Sequence, residues 1–382
     1  MVQNYSTNSQ AFHIMLSYLK FSAGVNMLYY LASYLVQYFG PVRLLQSNAV
    51  LICATLYVGF FLTFTFLPKF YKWLPSDRGR EFSVQAEAAK GKPTGAGLIF
   101  ISFFVLTSFL FAPMNLLQII IVLLTWLTML TGYLDDRSVN SWGEYRKAFL
   151  DLILCISAAV ALYYLREDYN NSGIVQFWLP FITNPITIHP ALYILIATCL
   201  LWVSINTTNC TDGVDGLSST LVLLGLFSVG GILYFILGHK NIAEYLLVPA
   251  LASGAQWAII TFSLAGVLMG YLWHNAFPSK VLMGDAGSRA LGFYIGCAVM
   301  VSGNPFLIFV TSSIIMINGG MGLLKVALLR FFKIKIFANI RFPLHDHMRK
   351  NRNWSPTQVL LKFLIIQLLI TIGTIGIIFK VR

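Results

Sequence analysis

Five aspartates stand in three short polar clusters of an otherwise oily chain: Asp135 with Asp136, Asp212 with Asp215, and Asp285. They are five of its 14 acidic residues, and each cluster sits at the end of a long apolar segment. An aspartate at the centre of a membrane helix costs roughly 2.5–3.5 kcal/mol, so acids repeated beside a bilayer usually mark a site. If the three clusters lie on one membrane face, they can build a single metal-and-phosphate centre.

The middle cluster is the most specific. Within residues 206–216 fall Asn206, Asn209, Thr211, Asp212, Gly213, Asp215 and Gly216. The glycines let backbone amides approach an anion, while the carboxylates can hold a metal, a sugar hydroxyl or a base edge. A turn that merely caps two helices needs one such residue, Asp212 or Asp215 as N-cap. Asp285 lies between Gly284 and Gly287-Ser288, just before another apolar helix. There it can ligate magnesium while the helix start offers amide donors to phosphate oxygens. Asn275, with Pro278 behind it, supplies a binding edge upstream in the same loop.

The pair Asp135-Asp136 ends a helix. Adjacent residues cannot both face inward, so one faces the site and the other a neighbour. A base or magnesium-site pair is the functional reading and a solvated helix end the bland one, which the unfavourable helix dipole weakens. Lys90 and Lys92 precede Pro93, Thr94 and Gly97 in a glycine-rich stretch without the spacing of a phosphate-binding P-loop. These lysines either meet phosphates or only follow the positive-inside rule. His345 and His347 flank Asp346 in the last long polar loop. No third zinc ligand lies nearby, so a carbohydrate or phosphate group is the expected partner. His13, His189 and His239 read as structural, and Asp151 is expected to pair with Lys147 four residues earlier.

Apolar helices must position these groups. The 382 residues are 57% hydrophobic and 10% charged, against about 25% charged in soluble domains, which makes this a polytopic membrane protein. Stretches long enough to span occur near 46–68, 95–112, 115–134, 148–165, 190–206, 217–237, 247–273, 288–302, 305–329 and 358–379. A span needs about 20 residues. The segment 11–38 lies in the interface or crosses as an extra helix. The expectation is an all-α integral membrane protein of about ten spans. Residues 1–45 would be an N-terminal extracytoplasmic or interfacial segment, and 46–382 one polytopic integral membrane domain. The first residues lack the basic start of a signal peptide. The five scattered cysteines have no metal or redox spacing.

With ten spans, one set of alternate loops carries 17 lysines and arginines and the other five, which puts the first set in the cytoplasm. Every acidic cluster falls on that side. The net charge of +12 is therefore largely a topology signal, with attraction for anionic membrane lipids and substrates secondary, and nucleic acid is not an expected partner.

Read together, the motifs resemble the polyprenyl-phosphate N-acetylhexosamine-1-phosphate transferases, and within them the muramoyl-pentapeptide branch. The matching residues are Pro93-Thr94 with Gly97, Gly132 through Asp135-Asp136, the 206–217 run, Asn275 with Gly284-Asp285 and Gly287-Ser288, and Pro343-Leu344-His345 with His347. They keep family order across residues 46–380. The resemblance implies transfer of phospho-MurNAc-pentapeptide from UDP-MurNAc-pentapeptide to undecaprenyl phosphate, giving lipid I and UMP, with Mg²⁺ as cofactor at the bacterial inner membrane. It makes Asp285 the metal ligand and Asp135 the base for the lipid phosphate, with Asp136 and His347 also catalytic. Lys90, Lys92, Thr94, Asn206, Asn209, Asp212, Asp215, Asn275 and His345 would bind substrate. A homodimer is left open.

The chain departs from the family pattern at Asp346, which interrupts a histidine triplet, at Leu282, where an aromatic is usual, and at Ala89 and Val139, where lysines are usual. A sister transferase moving GlcNAc-1-phosphate is the nearest alternative. A cation-coupled transporter is another, although it should place its acids near mid-membrane.

Overall fold

The structure, a computed structural model, describes residues 28, 32, 34–79, 90–166, 175–182 and 184–380. Much of the segment 11–38, together with His13 and Ala89, lies outside the described residues. The rest is predominantly helical. In chain order the main helices are α1 (Asn48–Phe66), α2 (Gly97–Phe111), α3 (Leu116–Arg137), α4 (Glu144–Tyr164), α5 (Pro190–Thr211), α6 (Leu217–Gly231), α7 (Gly254–Asn275) and α8 (Gly284–Val301). They are followed by α9 (Met321–Phe332), α10 (Leu344–Arg352) and α11 (Pro356–Lys380).

Eight helical stretches among the described residues are long and apolar enough to cross a bilayer. They comprise α1 with the 3-10 turn after it, α3, α4, α5, α6 with its π-turn, α7, Ser313–Phe332, and α11. The other two expected spans correspond to α2 and α8. The 15 residues of α2 reach about 22 Å, short of a hydrocarbon core of about 30 Å. The start of α8 carries Asp285 and Arg289. Packing decides the place of these two helices.

All 18 residues of α8 are buried, because helices close around it on every side. Backbones meet there through glycine. A Cβ on Gly292 would lie 2.5 Å from the Ser204 carbonyl oxygen of α5, and one on Gly132 of α3 would lie 2.4 Å from that of Asp285. Small residues at such crossings let membrane helices approach closely. Aliphatic and aromatic side chains such as Phe61, Leu123, Leu195, Leu369 and Ile372 point outward instead.

Both ends of α8 are held. At its C-terminus Arg166 donates to the carbonyls of Met300 and Val301, and the Trp178 indole donates to Ser302 O at 2.7 Å. One cation and one indole, three N–H donors in all, satisfy carbonyls there that lack helical partners. Trp178 follows the strand β1 (Gln176–Phe177), which pairs antiparallel with β2 (Ile186–Thr187). The N-terminus of α8 faces the acidic clusters.

One expected boundary shifts. The polar run after residue 206 does not open as a loop: α5 continues through Asn206 and Asn209 to Thr211. Thr211 Oγ1 donates back to Thr207 O at 2.8 Å, which lets a polar side chain stay helical, and the turn comes only at Asp212-Gly213.

Candidate active site

The ends of α3, α5 and α7 meet the starts of α4 and α8 at one end of the bundle, and this gathers all three acidic clusters. At the centre is Lys147, one turn into α4. Its ammonium contacts Asp135 Oδ2 and lies 3.0 Å from Asp285 Oδ2. Asp135 also accepts from the Trp142 amide at 2.6 Å. Two buried carboxylates thus share one cation, which offsets their mutual repulsion.

Asp136 has a different task. Its Oδ1 accepts from the Asp285 amide and its Oδ2 from the Ala286 amide, each at 3.0 Å. It caps α8 from another helix and fixes the residue that the sequence singles out for metal. Gly284 makes this possible. It has φ of +68°, and a Cβ there would lie 2.2 Å from Asp136 Oδ2.

The expected pairing of Asp151 with Lys147 is corrected. Lys147 turns to Asp135 and Asp285, while Asp151 pairs with Arg289 of α8 in full burial. Helical spacing favoured the local partner, but Arg289 is sealed inside the bundle and needs an acid there.

A second group surrounds Asp215. Its Oδ2 accepts from the Ser279 amide at 2.9 Å and lies 3.8 Å from Lys92 Nζ, which donates to Ser279 Oγ. Asn275 spends its amide on the protein: Oδ1 accepts from Gly216 N at 3.0 Å and Nδ2 donates to Val281 O at 2.9 Å. It therefore joins the glycine-rich turn to the 276–283 loop. That loop also pairs with Pro93 and Ala96 through Leu282, so Leu282 serves with its backbone. Thr94 is buried beside this seam, whereas Lys90 is exposed.

A third group surrounds His345, at the start of α10. Its backbone amide donates to Asn318 Oδ1 at 2.8 Å, and its Nδ1 lies 3.0 Å from Asn318 Nδ2. Asn318 also donates to Thr211 Oγ1, tying α10 to the end of α5. Burial, with Arg349 as a lesser cause, pushes the His345 pKa down to about 3. The imidazole is therefore neutral, and its 3.6 Å approach to Asp346 is not an ion pair. Asp346 sits near Arg341 and Arg349; burial raises its carboxyl pKa and those arginines oppose the rise. His347 points elsewhere and accepts from the Arg341 amide at 3.4 Å.

Of the remaining residues, Asn209 accepts from Ser288 Oγ at 3.3 Å and links α5 to α8. Asn206 bonds back to Trp202 O on its own helix. Asp212 is the C-cap of α5. Sequence reasoning missed Lys147 as the central cation, Ser279, and Asn318. For Asn318 a signal existed: an amide beside Gly319-Gly320 inside an apolar span, now a π-turn of the kind found at functional sites.

Among the described residues no group of three His, Cys, Asp or Glu could hold a metal by itself. Mg²⁺ does not require one, since it is commonly bound by one or two carboxylates with waters and substrate phosphates. Asp285, a hard oxygen donor at a helix start, fits that pattern.

Residues 118–303 match the model of Glycosyl transferase family 4. The chain is 55% identical over 352 residues to the phospho-N-acetylmuramoyl-pentapeptide-transferase of Treponema pallidum (strain Nichols), covering 92% of this chain and 95% of that protein. Identity to the enzyme of the same name from Wolinella succinogenes is 30% over 356 residues, covering 90% and 97% of the two chains. For that from Helicobacter hepaticus it is 29%, covering 89% and 97%.

Proposed function

Because this chain belongs to the phospho-N-acetylmuramoyl-pentapeptide-transferase family, we propose that it moves phospho-MurNAc-pentapeptide from UDP-MurNAc-pentapeptide to undecaprenyl phosphate. UMP is released and lipid I forms, as a step of peptidoglycan synthesis. Residues 46–382 act as one transferase domain in the bacterial inner membrane. The loop charge asymmetry supports a site open to the cytoplasm. The observation that carries the reading is the sharing of Lys147 by Asp135 and Asp285, which brings the expected base and the expected metal ligand to one point.

In this reading the nucleotide sugar lies against Lys92, Asn209, Asp212, Asp215 and the 276–283 loop, with its diphosphate toward Asp285 and His345. Asp285 holds Mg²⁺, which when bound neutralises the diphosphate and stabilises charge on the departing UMP. Asp135 takes any residual proton from the lipid phosphate, which is largely ionised near neutral pH, so little base strength is required. A lipid phosphate oxygen then bonds to the β-phosphorus. The bond from that phosphorus to the bridging oxygen breaks, and UMP leaves with the electron pair. Asp136 holds α8, and thus Asp285, in place. Trapping a phospho-aspartate with nucleotide substrate alone would overturn direct attack.

The test is UMP release by the purified full chain with undecaprenyl phosphate and Mg²⁺. UDP-MurNAc-pentapeptide should support it and UDP-GlcNAc should not; the reverse preference would assign the chain to the sister activity. Full activity in Asp285→Asn would break the metal assignment.

A further inference from the structure

The contacts of Asn318 determine which nitrogen of His345 carries the proton. One oxygen-or-nitrogen ambiguity attends any asparagine amide, but here it resolves itself. The backbone N–H of His345 can only donate, so the Asn318 atom 2.8 Å away is the oxygen. The other atom is then the NH₂ group, which donates to Thr211 Oγ1 at 3.1 Å and meets His345 Nδ1 at 3.0 Å. An NH₂ group cannot accept, so Nδ1 must be the bare, accepting nitrogen. In a neutral ring the proton is left on Nε2.

Nε2 faces the turn at Gly213 and lies 3.6 Å from Asp346 Oδ1, beyond hydrogen-bond distance. A Cβ on Gly213 would lie 2.4 Å from Nε2, so the ring occupies space that only a glycine leaves between Asp212 and Val214. We propose that Asn318 is a positioning residue that locks His345 as an Nε2–H hydrogen-bond donor, aimed past Gly213 at the anionic phosphates of the nucleotide-sugar substrate. This rests on the transferase reading for the identity of the anion, but the locked tautomer does not. Two observations support it. Asn318 is fully buried inside a π-turn that fixes its direction, and burial holds the imidazole neutral. A neutral donor binds an oxyanion without acting as a base. His345 thus stabilises charge and Asp135 handles protons.

The experiment is nitrogen NMR on the full chain in detergent, labelled with ¹⁵N-histidine, at pH 7.5. The His345 signal is assigned by its loss in His345→Gln. Wild type should show an unprotonated Nδ1 and a protonated Nε2, and in Asn318→Asp the Nδ1 should gain a proton. A protonated Nδ1 in wild type, or no change in Asn318→Asp, overturns the lock, and the wild-type spectrum decides even if the variant folds poorly. UMP release should fall on the order of 10²-fold in Asn318→Leu, as for loss of one oxyanion donor. It should be retained better in His345→Gln, whose amide can still donate, than in His345→Ala. Equal losses in those two variants overturn the donor role. Absence of UMP release by wild type would instead sink the transferase reading and leave the tautomer measurement standing.

Discussion

Asp136 caps the first turn of α8 at Asp285: one carboxylate oxygen accepts from the Asp285 amide and the other from the Ala286 amide. The end of α3 therefore sets the start of α8, and neighbouring aspartates divide the labour. Asp135 turns to Lys147, while Asp136 meets the positive end of the helix dipole.

Asp136→Ala should cost about 1 kcal/mol or more of stability, the usual worth of a cap, together with most of the activity. Asp136→Asn keeps one accepting oxygen and should lie between. Thermal unfolding in detergent beside UMP release checks this. An alanine variant as stable as wild type would show that the cap is not supporting α8.

Lys147→Met and Asp285→Asn should each lower UMP release strongly, and the double variant should resemble the weaker single one. Residues that act as a unit are not additive. Rate losses that multiply in the double variant would mean that the Lys147–Asp285 contact carries no function.

The pair Asp151–Arg289 is sealed inside the bundle. Removing one partner strands a buried charge, at about 3–5 kcal/mol, whereas an apolar pair of similar volume is often tolerated. Arg289→Leu should therefore unfold at a much lower temperature than wild type, and adding Asp151→Leu should restore most of the loss. No restoration would show that volume, not charge, governs the position.

Burial lowers the His345 pKa to about 3 from 6.5. Below pH 6.5 the unfolded chain takes up a proton that the folded ring refuses. The stability present above pH 6.5 is therefore lost as pH falls toward 3, by up to about 1.4 kcal/mol per pH unit. Asp346 works in the opposite sense. Its raised pKa adds stability at low pH, which is lost as pH rises through the folded value. Unfolding temperatures at pH 7.5 and 5 should differ less in His345→Gln than in wild type. An unchanged difference in His345→Gln would refute the assignment.

The membrane class, most helix positions and the three acidic clusters were legible from the chain, because apolar length and the cost of charge near lipid are local properties of a sequence. Lys90 and Lys92 show the limit of that reading. Two residues apart and chemically alike, one is exposed and the other meets Ser279 and Asp215. Asp346 likewise looked like a break in a histidine motif, yet it lies beside Arg341 and Arg349, which complement its charge.

By itself the sequence determined which residues carry charge at the helix ends, and hence where chemistry is possible. Only the tertiary structure decided their partners. Lys147 has an acid one helical turn away and leaves it for two others, because the glycine contacts between α3 and α8 bring Asp135 and Asp285 to the same point and burial forces Arg289 to claim Asp151. Pairing across helices depends on backbone approach and on desolvation of every neighbour at once, and neither is a property of any one segment.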